Sequence, residues 1–223
     1  MTAVDLAVER HVRETIAARL GDEHLVVGEE LGGEPDPQRP TWWLDPVDGT
    51  TNLANQLPWT SMSLALAMGG APVVATVAQP ALGHVFLAVH ALGATLDGMP
   101  LELPRGTGLA GRTVLTVLDA HRRWPGMDRF WDRLAQQHAT VRVVGSGTLA
   151  LTGVAAGWAA GGVVHSFNPV DHLAGVLIAR EAGAEVVGLD GVPRGFPIVG
   201  EPLVVAAPGL SAPLEAALLE ALD

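Results

Sequence analysis

The stretch WWLDPVDGTTN, residues 42–52, decides how this chain is read. An apolar run ends at Asp45, Pro46 fixes the backbone, Asp48 follows three residues on, and Gly49-Thr50-Thr51-Asn52 comes at once. A short buried strand running into a proline turn presents its acids at one exposed point. Asp45 then stands at the strand end and Asp48 in the turn. HLVVGEE, residues 24–30, has the same form: a buried strand ending in Glu29 and Glu30. Carboxylates gathered from such ends are hard oxygen ligands suited to magnesium, manganese or calcium. Without a cation their charges repel and some of them take up protons. GTTN can open a helix whose first N–H groups point outward, an anion site beside the acids. The same residues have plainer readings. Asp-Pro and Asp-Gly make ordinary turns, a Glu-Glu pair at a strand end is commonly solvated, and a threonine caps helices. Spacing alone does not separate the two.

Outward from this stretch, the other segments fall into place. Val8, Val12, Ile16 and Leu20 recur every four residues, which predicts an amphipathic helix with those four inward and with Thr2 and Asp5 capping its start. MSLALAM, PVVATVA and HVFLAVH read as strands, and the Asp97-Gly98 pair in GATLDGMPL as a tight hairpin. MDRFWDRLAQQ is a helix with Phe130 and Leu134 inward; TVRVVGSG is a strand running into a glycine turn; TLALTGVAAGWAA is a small-residue helix that packs tightly. DHLAGVLIAREAGA is a helix ending at Gly183, EPLVVAAP a late strand, and APLEAALLEAL a terminal helix. No repeat or long linker interrupts residues 1–223, so one domain is expected, with a metal and phosphate half at about 1–115 and a second half at about 116–223.

Composition narrows the chemistry. The chain has 223 residues, 48% hydrophobic, enough for a real core. Its net charge is −11 and its basic residues are all arginines, so it has no general attraction for nucleic acid or for an anionic membrane surface. A bound phosphate therefore needs something other than the overall field, and a metal serves. With no cysteine, disulfides and thiolate zinc are excluded. The histidines show no HxxxH pair, no stretch is long and apolar enough to span a bilayer, and no leader pattern opens the chain; a cytoplasmic location is expected.

GEE followed by WWLDPVDGTTNLANQLPWTSMSLALAM resembles the inositol monophosphatase family, whose usual form is Gly-Glu-Glu and then Trp-x-x-Asp-Pro-Ile/Leu-Asp-Gly-Thr-x-Asn. The likeness continues through VVATVAQPALGHVFLAVHALGATLDGMPL, VVGSGTLALTGVAAG, the second signature in NPVDHLAGVLIAREAGA, and PLVVAAPGL. It implies an α+β fold, a layered α-β-α-β-α sandwich, and a homodimer. It implies hydrolysis of a small phosphomonoester with Mg²⁺, two or three ions, Mn²⁺ being an alternative. By position it makes Glu29, Asp45, the Val47 carbonyl, Asp48 and Asp171 the metal ligands, and Gly49 and Thr50 the phosphate-binding residues. Glu29 and Thr50 would prepare the attacking water.

The sequence departs from the family in three places. Only Met1 precedes Thr2 here, whereas the family's TAVD-like helix normally follows an earlier helix and a mobile loop with a lysine; Asp5 keeps its place, either as part of the helix cap or near a further metal. Val170 stands where tryptophan is usual. Val164 occupies the spacing at which the inositol enzymes carry an acid for substrate hydroxyls. Ser146, Gly147, Thr148 and His165 are then the candidates to touch substrate, and His172 reads as a helix-start residue. The expected substrate is a small polyol or sugar phosphate, inositol monophosphate by default. Histidinol phosphate and a 3′-phosphorylated nucleotide are alternatives, and a catalytically weak relative acting in binding or assembly is the alternative of another class.

Overall fold

A computed structural model describes residues 2–118, 123–192 and 195–222. Helix α1 (Ala3–Leu20) starts in the expected capping box, with Asp5 accepting the Thr2 N–H at 2.6 Å. Strands β1 (Leu25–Gly28) and β2 (Thr41–Asp48) pair in parallel. After the short helix α2 (Thr50–Ala54), strands β3 (Ser61–Met68), β4 (Ala71–Gln79), β5 (His84–Val89), β6 (Gly93–Leu96) and β7 (Met99–Pro100) follow in antiparallel order, completing a seven-stranded sheet in chain order. Asp97 and Gly98 both take positive φ, as the β6–β7 hairpin requires.

The second sheet is built differently. It comprises β8 (Thr113–Thr116), β9 (Thr140–Val143), β10 (Gly161–Val164), β11 (Glu185–Val187) and β12 (Leu203–Ala206), in the order β11-β12-β10-β8-β9. Its helices are α3 (Met127–Gln136), α4 (Gly147–Ala155), α5 (Pro169–Glu181) and α6 (Ser211–Leu222). Helices α4 and α5 lie between the sheets, α1 covers the outside of β2, and α3 with α6 cover the outside of the second sheet. The layers are therefore α-β-α-β-α. One apolar core lies around α4 and α5, including Phe86, Leu151, Leu173 and Leu177; another lies under α3 and α6, including Phe130, Leu134 and Leu214. Every residue of α4 is buried, and Gly175 of α5 lets the two helices close: a Cβ there would sit 2.9 Å from that of Leu151. Among the described residues no helix is long and apolar enough to cross a bilayer.

Three details differ from the expectations. The buried residues of α1 are Asp5, Glu9 and Ile16, while Leu20 is 41% exposed. Two acids turn that helix because each finds hydrogen-bond partners inside. Asp48 is not in a turn but still in β2, beyond a break in register: Asp45 pairs with Ser63 and Asp48 with Ser61, so three steps on β2 match two on β3. Residues three apart on a regular strand face opposite sides, and the extra residue of this bulge returns Asp48 to the face of Asp45. Strands β8, β10 and β11 carry no clear pattern in the sequence. In β10 the glycines are forced by packing: a Cβ on Gly161 would lie 2.2 Å from Leu214 Cδ1, and one on Gly162 2.6 Å from the Ala150 carbonyl oxygen.

A candidate active site where strand ends meet helix starts

Glu29, Asp45, Asp48, Gly49, Thr50 and Asp171 line one cavity of about 320 Å³. Glu29 comes from the turn after β1, Asp45 and Asp48 from the bulged end of β2, and Asp171 from the first turn of α5. Gly49 links β2 to α2 with φ +90, and a Cβ there would meet the Trp59 carbonyl oxygen at 2.7 Å. No side chain larger than hydrogen fits.

The carboxyls differ in their surroundings. Asp45 is buried; its carboxyl is pushed up to about 10 by burial first, then by the charges of Asp48, Glu29 and Asp171. It is thus the protonated partner in its hydrogen bond with the Glu29 carboxyl. Glu29 is raised too, by burial of its carboxyl and by the charges of Glu30, Asp48 and Asp5, although the residue as a whole is exposed. Asp48 is raised by burial, against which the start of α4 works: Ser146 Oγ donates to it at 2.6 Å, the Thr148 N–H at 2.7 Å and the Gly147 N–H at 3.3 Å. Asp48 therefore locks the end of β2 onto α4.

Ser146 and Thr148 are accordingly not turned to the cavity. The Ser146 hydroxyl also caps α4 by accepting the Leu149 N–H, and the Thr148 hydroxyl donates to the Asp171 backbone carbonyl; both residues are buried. They fix the site and leave Gly147 and His165 as the expected substrate-facing residues that do line open space. That space is a second cavity of about 310 Å³, with Val117, Leu118, Trp124, Val164, His165 and Ser166 in its wall and Asp48 and Asp171 at its inner end. His165 stacks on Trp124 with ring centroids 5.2 Å apart. Val164 and Trp124 give this wall an apolar side.

Three further residues complete the site, of which the sequence reading missed Asn52. Asp5 does more than cap: Thr50 Oγ lies 3.4 Å from its Oδ1 and 3.1 Å from the Val47 carbonyl oxygen. Burial raises the Asp5 carboxyl, but the Thr2 hydrogen bonds outweigh this and hold it below its usual value. Asn52 donates to the carbonyl oxygens of Trp59 at 2.8 Å and Val144 at 2.9 Å, tying α2 to the loop before α4. Its place in GTTN was the available signal. His172 is the buried helix-start residue expected; it accepts the Asn168 N–H at Nδ1, and burial holds it down to about 4.

All the donors lining the inner cavity are oxygens, as a hard divalent cation requires. Among the described residues no three acids or histidines are gathered tightly enough to hold an ion as they stand. Asp48 is drawn to α4, and the carboxyls of Asp45 and Glu29 are hydrogen-bonded to each other. A proton on Asp45 does for the charge balance what a cation would do better, so the set fits such an ion.

Acids from strand and helix ends line one cavity of a layered α-β-α-β-α sandwich, and the family this chain is matched to makes it a phosphoric monoester hydrolase. The chain belongs to the inositol monophosphatase family, whose model matches residues 1–222. It is 33% identical over 215 residues to inositol-1-monophosphatase ImpA of Mycolicibacterium smegmatis, covering 94% of this chain and 76% of that protein. It is also 33% identical over 214 residues to Nus factor SuhB of Escherichia coli K12, covering 93% and 80%. Among solved structures, the inositol monophosphatase of Anabaena superposes with a TM-score of 0.90 at 30% identity, covering 99% of this chain and 87% of that one.

Proposed function

We propose that the protein hydrolyses a small polyol or sugar phosphate with Mg²⁺, inositol monophosphate being the default substrate. The carrying observation is the single cavity in which Glu29, Asp45, Asp48 and Asp171 meet Gly49 and Thr50, opening on a second cavity large enough for an alcohol. The curated relatives named as inositol-1-monophosphatases support this reading.

In this mechanism Glu29, Asp45, Asp48, Asp171 and the Val47 carbonyl would hold the cation. When bound, Mg²⁺ supplies positive charge to the phosphate oxygens and lowers the pKa of water. Asp45, protonated without the ion, would serve as a ligand in its carboxylate form. The backbone of Gly49 and Thr50 receives the phosphate. Thr50 donates its hydroxyl proton to Asp5 or to the Val47 carbonyl, which leaves an oxygen lone pair to accept from a water and aim it at phosphorus. Glu29 takes that water's proton. The leaving alcohol lies against Val164, Trp124 and His165. Beyond the proposed ligands Asp48 and Asp171, no described residue of that cavity is an acid, so preference for inositol 1-phosphate over less hydroxylated phosphate esters should be weak.

The test is phosphate release from inositol 1-phosphate, histidinol phosphate, a 3′-phosphonucleotide and phenyl phosphate, with Mg²⁺ and with excess EDTA. Turnover with Mg²⁺ and none with EDTA is expected. Full activity in EDTA would remove the cation from the mechanism. The relative named Nus factor SuhB favours a second reading, a protein that acts in assembly. A folded chain inert on every ester would select it. The expected homodimer is checked by light scattering.

A further inference from the structure

The turn that carries Glu29 runs from Gly28 to Gly32, and every backbone N–H in it is taken. Gly28 and Gly32 exchange hydrogen bonds at 3.0 and 3.1 Å, and the Glu29 N–H donates to the Leu44 carbonyl oxygen, beside Asp45, at 3.1 Å. The remaining two go elsewhere. The Glu30 N–H donates to Glu9 Oε2 at 3.0 Å and the Leu31 N–H to Glu9 Oε1 at 3.2 Å. Glu9 belongs to α1 and is 0% exposed. Arg13, one turn further along α1, donates to Glu9 Oε1 through Nη2 at 2.7 Å and through Nε at 2.9 Å. It also reaches the carbonyl oxygens of Val26, at 3.1 Å, and Gly32, on the two flanks of the turn. The fit is close: a Cβ on Gly28 would lie 2.1 Å from Glu9 Oε1.

A buried carboxylate is costly unless it is paired and bonded, and this one is both. What it holds is a turn that is otherwise mostly at the surface, with Glu29 and Leu31 exposed. Such turns open readily when few contacts fix them. Here two amides hang on one carboxylate, whose own position is set by a rigid helix and an arginine. The carboxyl of Glu29 reaches Asp45 from that turn.

We propose that Glu9 is a positioning residue: through the Glu30 and Leu31 amides it sets where the Glu29 carboxyl stands against Asp45, and so how tightly the cleft holds its divalent cation. This rests on Glu29 being a cation ligand, as proposed above. Glu9→Gln keeps the volume but offers one acceptor oxygen in place of two, and turns an NH₂ toward a backbone N–H. The test is calorimetric titration of the whole protein with Mn²⁺, without substrate, for wild type, Glu9→Gln, Glu29→Gln and the double variant. Both single variants should bind Mn²⁺ at least about tenfold more weakly than wild type, the scale on which partners of metal ligands act. The double variant should be no weaker than Glu29→Gln, because Glu9 acts through Glu29. Wild-type affinity in Glu9→Gln, or a full additive loss in the double variant, overturns the proposal while leaving the cleft reading intact. A wild type that does not bind Mn²⁺ overturns both. Amide hydrogen exchange on the wild type tests the clamp even if Glu9→Gln does not fold. Glu30 and Leu31 amides should be protected, and free exchange at both would show that Glu9 holds nothing.

Discussion

Asp45 and Asp48 are three residues apart and look equivalent in the sequence, yet the structure gives them separate tasks. Asp48 has three donors from the start of α4, so it ties two layers together as well as facing the cavity. Asp45 has one backbone donor, the Val47 N–H at 2.8 Å, and otherwise faces carboxyls. Their asparagine variants should therefore separate stability from activity. Asp48→Asn turns an NH₂ toward donors and should cost about 1–3 kcal/mol of stability in addition to activity. Asp45→Asn should lower kcat/KM at least about a hundredfold, roughly 2.7 kcal/mol. In EDTA it should unfold at the same urea concentration as wild type or higher, since asparagine is neutral without having to take up a proton and can still accept from Val47 and donate to Glu29. Urea unfolding in EDTA and phosphate release in Mg²⁺ read the two effects. An Asp45→Asn variant with near wild-type turnover would sink the assignment of Asp45 as a ligand.

Helices α4 and α5 begin side by side, and their contact is a glycine against an imidazole. A Cβ on Gly147 would lie 2.3 Å from His172 Nε2 and 2.7 Å from its Cδ2, and His172 cannot swing away because it is buried and accepts the Asn168 N–H. Gly147→Ala should thus cost about 1–3 kcal/mol by overpacking. It should also lower kcat, because α4 must shift and Asp48 is bonded to its first turn. Adding His172→Ala should restore part of the activity by making room; an activity loss untouched by that second change would mean the contact is not what positions α4. Neither residue's part in this contact could be read from the sequence, which shows only GSGT and PVDH. What could be read from the sequence were α3 and α6, whose burial follows a helical repeat, the apolar runs of α5 and β3 to β5, and the Asp97-Gly98 hairpin from its turn residues. Periodicity found α1 but not its whole buried face, where Glu9 looks solvent-facing and is instead buried on Arg13 and two amides. It failed for β10, whose Gly161-Gly162 reads as loop because the helices packing on it leave no room for side chains. In the cleft, the motif gave the acids but not the bulge at Pro46 and Val47 that brings Asp45 and Asp48 onto one face.

Across the whole molecule, the apolar core around α4 and α5 joins the layers, and the cleft is where polar groups of both meet. Glu29, Asp45 and Asp48 come from the first sheet, while Asp171 comes from α5 in the layer behind it. Asn52 and Ser63 add two more ties, the latter by donating to the Val170 carbonyl oxygen at 3.1 Å. Without a cation the acids oppose this junction, which is why burial and mutual repulsion push Asp45 so far up. A cation that binds all of them reverses the sign and binds only the folded chain. At a hundred times its Kd it should add about 2.7 kcal/mol to stability. For a chain of this size that corresponds to a rise in Tm of about 5–10 °C. The measurement is a thermal scan of the metal-free protein against Mg²⁺, alone and with inorganic phosphate, with Ca²⁺-free buffer and Asp45→Asn as control. We expect Tm to climb with Mg²⁺, to climb further with phosphate, and to stay nearly flat in the variant. A wild-type Tm that ignores Mg²⁺ well above the concentration that saturates turnover would mean that the four acids do not act on one ion cluster.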